Sequence, residues 1–402
     1  MAGFGEGDGA VMRNYKNILV INLMHIGDLM LVTPVLRTLR ANYPQAKISI
    51  LVDKKLADLV RCNKHIDECL LIDKKGKDDK LTNFIKYIGE IRQKHFDLVI
   101  NLHRNERASA IAAFSGADTI VGYAKPGFGL FFDKVMQNPS VAHHIGRGPW
   151  GLLPPHRYVP GWKHQVHAHL EVLKQAVGVE KIDDGGLEMW LPQEAVEKAE
   201  KLWQENFAPG QQVIAFNIGA SWETKRWLDS YFAQCADELI EKGYAVAFFG
   251  GPMDIEMVDK CRSLMKQGNS PLIKVFTGKV SLAELGALLR KCALFLTTDS
   301  GPMHVGVSQH VPVVTMFGAS PVPGFYPYDG RDVLIKAPVS CHPCGIHQCP
   351  HGGEANLACM KRITPELVMK YVWELLEKYG KMAGKMSVEY GNYACRVVEA
   401  SL

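Results

Sequence analysis

The strongest constraint on the fold is a repeated alternation of short apolar runs with longer amphipathic segments. In the first half of the chain the apolar runs lie at 16–23, 47–52, 97–102 and 119–122, and helical periodicity is present at 29–42 and 81–94. Apolar runs of strand length predict strands that are buried on both faces. Their alternation with helices predicts a parallel sheet covered by helices on both sides.

A second series of the same kind occupies the later part of the chain. Its predicted strands are 213–217, 245–250, 273–276, 294–297 and 311–317, and its predicted helices are 229–242, 254–266, 282–292, a short one from Pro302, and 365–379. The fold class is therefore predicted as α/β, with two doubly wound domains in tandem and a cleft between them. Ligands of such sheets bind beyond the carboxyl ends of the strands.

The domain organisation follows from these two series. We expect an N-terminal extension over 1–15, a first domain over 16–180, a second domain over 181–363, a C-terminal helix over 364–380 and a peripheral tail over 381–402. Residues 124–165 interrupt the alternation and are rich in Gly, Pro, His and aromatic residues. A structureless stretch of this length is typical of a functional or mobile loop.

Composition excludes several classes of protein. With 47% hydrophobic and 22% charged residues, the chain has enough apolar material for two cores and is not a disordered protein. No apolar run is long enough for a membrane-spanning helix, and the N-terminus lacks the features of a secretory signal. Ten cysteines are too few for a disulfide scaffold. We therefore expect a cytoplasmic protein.

Charge is unevenly distributed along the chain. Residues 1–175 carry 24 basic and 16 acidic side chains, whereas the remainder carries 22 basic and 26 acidic ones. A basic first half is typical of a domain with an anionic partner such as a phosphorylated glycan, an anionic lipid or a nucleic acid, although a chance imbalance on a solvated surface explains it equally well. No aromatic–basic pattern of the RNP type is present, so nucleic acid is not expected as a partner.

The first motif with chemistry is His25-Ile26-Gly27-Asp28, directly after the first predicted strand. Asp28 is expected at the start of the next helix, where an aspartate commonly caps the backbone. The same position also suits a carboxylate that takes a proton from an attacking hydroxyl. No G-x-G-x-x-G pattern follows this strand, which argues against a dinucleotide site.

The second motif is GASWETKRW at 219–227, directly after the first strand of the second domain. Small residues such as Ser221 let backbone N–H groups approach an anion, while the hydroxyl of Thr224 and the cation of Lys225 add contacts that a diphosphate needs. A basic surface turn with two packing tryptophans is the alternative interpretation.

The third motif is TDSGPMH at 298–304, after the predicted strand 294–297. A helix that starts at Gly301 and Pro302 offers its N-terminal N–H groups and its dipole to a phosphate. His304 adds a possible donor to a phosphate oxygen. The alternative is a capped helix with a core histidine.

A weaker signal is FGGPMD at 249–254. Glycines after a strand allow the close approach of a planar base, and the carboxylate of Asp254 suits the hydroxyls of a ribose.

Four cysteines cluster late in the chain, at positions 341, 344, 349 and 359. Four thiols are able to hold a structural zinc ion tetrahedrally, but this spacing matches no standard finger or ribbon. Cys341, Cys344, Cys349 and Cys359 are therefore candidates for a zinc site, with buried free thiols or a redox-labile pair as alternatives.

Taken together and in this order, the motifs resemble glycosyltransferase family 9, the heptosyltransferases of lipopolysaccharide core assembly. The resemblance is carried by NLMHIGDLMLVTPVLRTLR, GASWETKRW, FFGGPMD, TDSGPMHVG followed by VPVVTMFG, and the later CHPCGIHQC…CMKRITPELV. These signals span residues 16–380, whereas 1–14, 124–165 and 381–402 carry none of them.

The resemblance implies a GT-B fold, in which an N-terminal acceptor domain and a C-terminal nucleotide-sugar domain, both Rossmann-like, face a central cleft. The basic first half of the chain also fits peripheral contact with an anionic membrane surface. The resemblance further implies inverting transfer of a heptose from ADP-heptose to a lipid-linked inner-core acceptor at the cytoplasmic face of the inner membrane. It also assigns roles to residues. Asp28 is the expected base, Lys225 holds the diphosphate, the segment with Asp299, Gly301, Met303 and His304 binds phosphate, and Asp254 lies near the ribose. The scheme needs no metal or cofactor.

Two other functions use the same features. A sugar-nucleotide epimerase or hydrolase of this architecture needs no acceptor. A non-catalytic nucleotide-sugar binding module has no use for a base such as Asp28, so the presence of that residue favours an enzyme.

Overall fold

The computed structural model describes residues 13–137, 163–382 and 393–401, and these residues form two units. The first unit contains 13–137 and Gln165–Asp184, and the second contains 163–164 and the described residues from Gly185 onward. Most of the predicted N-terminal extension, and residues 138–162 of the predicted loop, lie outside the described ranges.

A six-stranded parallel sheet forms the centre of the first unit. Its strands are β1 (Asn17–Ile21), β2 (Lys47–Asp53), β3 (Glu68–Ile72), β4 (Leu98–Asn101), β5 (Thr119–Gly122) and β6 (Lys134–Val135), and its helices are α1 (Ile26–Met30), α2 (Thr33–Asn42), α3 (Leu81–Arg92), α4 (Glu106–Ala113) and α5 (Gln165–Val172). The strand order β3-β2-β1-β4-β5-β6 reverses direction at β1, as in doubly wound sheets. Leu19 of β1, Val99 of β4 and Ile111 of α4 are fully buried in one core.

The second unit contains a seven-stranded parallel sheet of the order β13-β12-β11-β10-β7-β8-β9. Its strands are β7 (Val213–Asn217), β8 (Ala245–Phe249), β9 (Ile273–Val275), β10 (Leu294–Thr298), β11 (Val313–Phe317), β12 (Val333–Lys336) and β13 (Arg396–Glu399). Its helices are α6 (Gln193–Asn206), α7 (Asp229–Glu241), α8 (Ile255–Leu264), α9 (Leu282–Leu289), α10 (Gly301–Ser308), α11 (Val322–Phe325), α12 (Ala358–Lys361) and α13 (Pro365–Tyr379).

The core of the second unit is aromatic. The ring of Phe216 in β7 lies 5.5 Å from that of Phe248 in β8 and 5.9 Å from that of Phe232 in α7. Trp227 is also buried there, and its indole Nε1 donates a hydrogen bond of 2.9 Å to the carbonyl of Ile363. Trp227 therefore packs in the core, as the alternative interpretation of the 219–227 motif expected.

The predicted fold class is confirmed in both units, because each contains a doubly wound parallel sheet. The predicted bounds of β5, β7 and α13 coincide with the observed ones. Among the elements that were not predicted from the sequence are β3, α4, α6 and β12.

One predicted helix, 29–42, is wrong as a single element. The chain forms α1 and α2 instead, and Pro34 is the second residue of α2. A proline inside a helix removes a backbone hydrogen bond and clashes with the preceding turn. The break at this point is stabilised by the Thr33 hydroxyl, which donates to the Met30 carbonyl at 2.8 Å.

The C-terminal segment also differs from the expectation of a peripheral tail. Arg396–Glu399 forms β13, which pairs in parallel with β12 at the edge of the second sheet. Salt bridges from Arg396 to Glu374 and from Glu399 to Lys336 fix its two ends. Charged residues on a short edge strand hinder pairing with other chains, and the same charges hide the strand from a search for apolar runs.

A short segment at the end of the first unit, Lys181–Asp184, is tied to α2. The amide of Asp183 donates to the Thr38 hydroxyl at 3.1 Å, and its carboxylate pairs with Arg37 at 3.2 Å. Asn42 donates to the Lys181 carbonyl. We call Lys181–Asp184 the α2 strap.

In the part of the chain that the structure describes, every helix is too short or too polar to cross a membrane.

Candidate active site

Buried hydrogen bonds connect the loops that follow β7 and β10. The side-chain amide of Asn217, the last residue of β7, donates to the Gly219 carbonyl at 3.1 Å and to the Ser300 hydroxyl at 2.9 Å. The hydroxyl of Thr298, the last residue of β10, donates to the same Gly219 carbonyl at 2.7 Å. Because β7 and β10 are neighbours in the sheet, the structure places the two predicted phosphate-binding segments side by side.

Lys225 and Asp299 form an ion pair where these two loops meet. The Lys225 Nζ lies 3.2 Å from a carboxylate oxygen of Asp299, without hydrogen-bond geometry. Asp299 is buried, whereas a fifth of the lysine side chain remains exposed. The ammonium also lies 4.6 Å from the centre of the Trp222 ring, a distance at which the aromatic face attracts a cation. The lysine is thus held in place before any anion binds.

His304 adds a neutral imidazole next to this pair. The side chain is buried, and its Nδ1 has no hydrogen-bond partner. Burial lowers the pKa of His304 to about 4, Asp299 opposes this shift and Lys225 adds to it. An unpaired buried polar atom has a free-energy cost, so this nitrogen is a candidate contact for a ligand.

The helix that carries His304 begins at this place. α10 starts at Gly301 with Pro302 in its first turn, and the capping residue Ser300 makes no side-chain cap hydrogen bond. An uncapped helix N-terminus favours negative charge through its N–H groups and its dipole. Lys225, His304 and this helix start are therefore the groups that the structure brings together for an anion.

Two residues of the predicted donor site make their contacts within the protein, Met303 by packing and Thr224 by hydrogen bonds. Met303 of α10 is fully buried, so its side chain belongs to the core. The hydroxyl of Thr224 donates to the Ile346 carbonyl, and its backbone N–H lies 3.4 Å from the His347 carbonyl. Thr224 thus holds the segment around residues 346–347 against the loop after β7, instead of offering its hydroxyl to a phosphate. Ser221 is exposed on the same loop.

Asp254 makes its hydrogen bond within the protein as well. Its carboxylate accepts from the Gly251 amide at 2.8 Å, and burial raises its pKa, with the Gly251 hydrogen bond and the Arg226 charge in opposition. A Cβ atom at Gly219 would lie 2.0 Å from this carboxylate. The carboxylate therefore sits against the glycine loops after β7 and β8, and contact with a ribose stays a prediction.

Arg226, the other basic residue of the 219–227 motif, has a structural role in this loop. Its Nε donates to the Ala220 carbonyl at 2.7 Å.

In the first unit, Asp28 lies in the first turn of the five-residue helix α1 and is half-buried. Its carboxylate accepts from the His25 amide at 3.4 Å, which is the local capping arrangement that the sequence also allowed. A general base needs a carboxylate held in place and accessible to substrate, and the half-buried position of Asp28 is compatible with both requirements.

Two polar residues at the strand ends of the same sheet were not predicted as site residues from the sequence. Lys74, which follows β3, donates to the Leu23 carbonyl at 2.5 Å and pairs with Asp53 at 3.1 Å. His103, which follows β4, has an unpartnered Nδ1, and burial, with Lys74 and His25 as further contributions, lowers its pKa to about 3. Both follow strands, so the rule that ligands bind at carboxyl strand ends would have found them.

The four clustered cysteines are free thiols, and burial raises the pKa of Cys359 to about 12, with smaller contributions from Cys341, Cys344 and Cys349. Cys349 accepts a hydrogen bond from the Leu357 amide. Among the described residues, which include all four thiols, no group of three or more His, Cys, Asp or Glu side chains is arranged to hold a metal ion. In this structure the four thiols therefore do not form the candidate zinc site.

Known proteins share this chain's sequence and fold. The family model described as glycosyltransferase family 9 (heptosyltransferase) matches residues 153–354, just over half of the chain. The crystal structure of a glycosyl transferase of family 9 from Veillonella parvula is 31% identical, covers 92% of this chain and 99% of its own, and has a TM-score of 0.76.

Two further similar proteins come from Escherichia coli. Lipopolysaccharide heptosyltransferase 2 of strain K12 is 24% identical over 366 residues, which are 89% of this chain and 98% of that protein. Heptosyltransferase WaaC with ADP-2-deoxy-2-fluoro heptose is 14% identical with a TM-score of 0.62, over 89% of this chain and 99% of its own, and shares the fold. The predicted GT-B class, with two Rossmann-like domains, is confirmed.

The buried His304 predicts an acid-sensitive second unit. The unfolded chain takes up a proton on this residue near pH 6.5 and the folded chain only near pH 4, so stability falls as the pH drops through that window. His304→Gln should remove roughly 3 kcal/mol of this pH-dependent loss. Urea unfolding at pH 7, 6, 5 and 4 measures it, with the exposed His351→Gln as the matched control. An equally steep pH dependence in His304→Gln would contradict the assignment.

Proposed function

Because the chain belongs to glycosyltransferase family 9, we propose that it transfers a heptose from ADP-heptose to an inner-core acceptor of lipopolysaccharide, with inversion at the anomeric carbon. The observation that supports this most directly is the group formed by Lys225, His304 and the start of α10. A cation, a neutral imidazole and a helix N-terminus together suit a diphosphate.

The donor half of the reaction follows from that group. When the bond between the anomeric carbon and the pyrophosphate oxygen breaks, negative charge develops on ADP. Lys225 and the helix start at Gly301 would stabilise this charge, and the unpaired Nδ1 of His304 would act as a donor if it carries the ring proton. Groups held in place before the reaction stabilise developing charge most effectively, and Lys225 is held by Asp299 and Trp222.

We assign the acceptor half of the reaction to the first unit. Asp28 would take the proton of the attacking hydroxyl while its oxygen forms the new bond to the anomeric carbon, on the face opposite to the departing ADP. One such displacement inverts the configuration. The basic side chains of this unit, including Lys74 and Arg104, suit an anionic inner-core saccharide.

The acceptor also sets the place of action. A lipid-linked saccharide is held at a membrane, so we propose that the protein works at the cytoplasmic face of the inner membrane in peripheral contact with it. Nucleic acid is not a partner in this proposal.

The Asp28 assignment predicts a defect in turnover rather than in donor binding. General-base help is typically worth about 10²–10⁴-fold. Asp28→Asn keeps an oxygen that accepts from the His25 amide, so the fold of α1 is preserved, but turnover should fall at least a hundredfold. Donor affinity, measured by calorimetry with ADP, should stay within about twofold. Normal turnover in Asp28→Asn would remove this residue from the reaction.

The Lys225 assignment predicts the opposite pattern. Lys225→Gln should weaken binding of the ADP-sugar roughly tenfold or more, because a charged hydrogen bond to phosphate is worth about 1.5–3 kcal/mol. Titration calorimetry with ADP measures this, and the exposed Lys201→Gln on α6 is a matched control for loss of one charge. Equal affinities in the two variants would overturn the role.

We further propose that transfer needs neither a divalent metal nor a cofactor. Lys225, the imidazole of His304 and the backbone amides at the start of α10 suit the charge of the diphosphate, and ADP is a good leaving group. Transfer should therefore persist at an unchanged rate when a chelator such as EDTA is present in excess. An activity that is lost with EDTA and restored by magnesium or manganese would contradict this proposal.

A reaction without acceptor, followed by analysis of the sugar products, separates transfer from epimerase or hydrolase activity.

A further inference from the structure

A short turn in the first unit exposes apolar residues to an unusual degree. The turn Phe128–Phe131 follows Gly127, which adopts a left-handed backbone conformation with φ of 90°. The side chain of Leu130 is 89% exposed and that of Phe131 is 52% exposed. Large apolar side chains that project into water in this way commonly mark an interaction surface.

Other exposed apolar side chains border this turn. Phe114 contacts both Phe128 and Phe131, with ring centres 6.2 and 5.3 Å apart. Leu81 lines a shallow groove together with Phe128, and Ile85 lies one turn further along the same face of α3. We call Leu81, Ile85, Phe114, Phe128, Leu130 and Phe131 the apolar patch.

The turn is held on a rigid base. Phe132, the next residue, is buried in the core of the first unit, and Phe128 packs against the same core. The carboxylate of Asp133 accepts from the Ile120 amide of β5 at 2.7 Å. Leu130 and Phe131 therefore project from a fixed position on the unit.

The charged side chains near the apolar patch leave a basic excess. Asp79 and Glu106, which line the groove, pair with Arg107 and Lys125. Residues 74–137, which contain the patch, carry 11 basic and 7 acidic side chains. Lys80 and Lys86 are exposed next to Leu81 and Ile85 in the chain, and Lys134 is exposed close to the turn. Apolar side chains within a basic surround match the boundary between the acyl chains and the anionic headgroups of a bilayer.

We propose that the apolar patch docks the first unit onto an anionic phospholipid surface, with Leu130 and Phe131 inserted at the level of the headgroups. This inference rests on the proposed function, in which the acceptor is lipid-linked. A bilayer suits the patch better than a second copy of the chain, because a symmetric contact would bring the same excess of positive charge against itself.

Sedimentation with phospholipid vesicles tests the proposal on the full chain. We expect binding to vesicles that contain phosphatidylglycerol, weaker binding to vesicles of phosphatidylcholine alone, and a decrease with salt. The double variant Leu130→Ser/Phe131→Ser should lower the partition coefficient roughly tenfold or more, since each inserted side chain loses most of its apolar transfer energy. Leu264→Ser, a change at a half-exposed residue of the second unit, is the matched control and should bind as the unaltered chain does.

Three results would overturn docking through the patch. The first is that the unaltered chain does not bind vesicles. The second is that the double variant binds vesicles as well as the unaltered chain does. The third is a concentration-dependent dimer that only the double variant abolishes.

Transfer to a water-soluble acceptor without the lipid reports on the proposed function separately. The double variant should keep that activity and lose activity on the lipid-linked acceptor. Patch-dependent vesicle binding in a chain without any transferase activity would refute the proposed function and leave the docking surface intact.

Discussion

The candidate site depends on the hydrogen bonds that side chains of two neighbouring strands donate to the Gly219 carbonyl. The side chains of Asn217 and Thr298 both donate to this oxygen, and Asn217 also reaches Ser300. Buried polar groups of this kind are stable only when each is paired. These bonds therefore fix the loop that carries Lys225 relative to the start of α10, and they require the two strands to be adjacent.

Burial of a strand on both faces explains which strands were predictable from the sequence. The central strands β1, β4, β7 and β10 are buried on both faces and appear in the sequence as apolar runs. The edge strand β13 carries Arg396 and Glu399 and is largely exposed, so only two apolar residues mark it. β3, at the edge of the first sheet, does contain the apolar run 69–72 and was overlooked. The division of the predicted helix 29–42 was visible in principle, because Pro34 is incompatible with a helix interior.

The position of the candidate site in the fold was predictable from the sequence, but the contacts of its individual side chains were predictable only in part. The motifs at carboxyl strand ends predicted loops that the structure places side by side, because the topology of a doubly wound sheet gathers those ends. Which atom of a motif faces a ligand depends on packing that the motif does not encode. The side chain of Met303 is buried in the core, and the hydroxyl of Thr224 binds a segment more than a hundred residues later in the chain. Lys74 was missed because it lies in a basic run that resembles ordinary surface.

The α2 strap has a consequence for dissecting the protein into fragments. A fragment cut after residue 180, the boundary that the sequence suggested, would lack Lys181–Asp184 and leave Arg37 without its carboxylate partner and Thr38 without its backbone contacts. Arg37 is mostly buried, and the loss of an ion pair by a buried cation is costly. Fragments that contain only the first unit should therefore extend through residue 184.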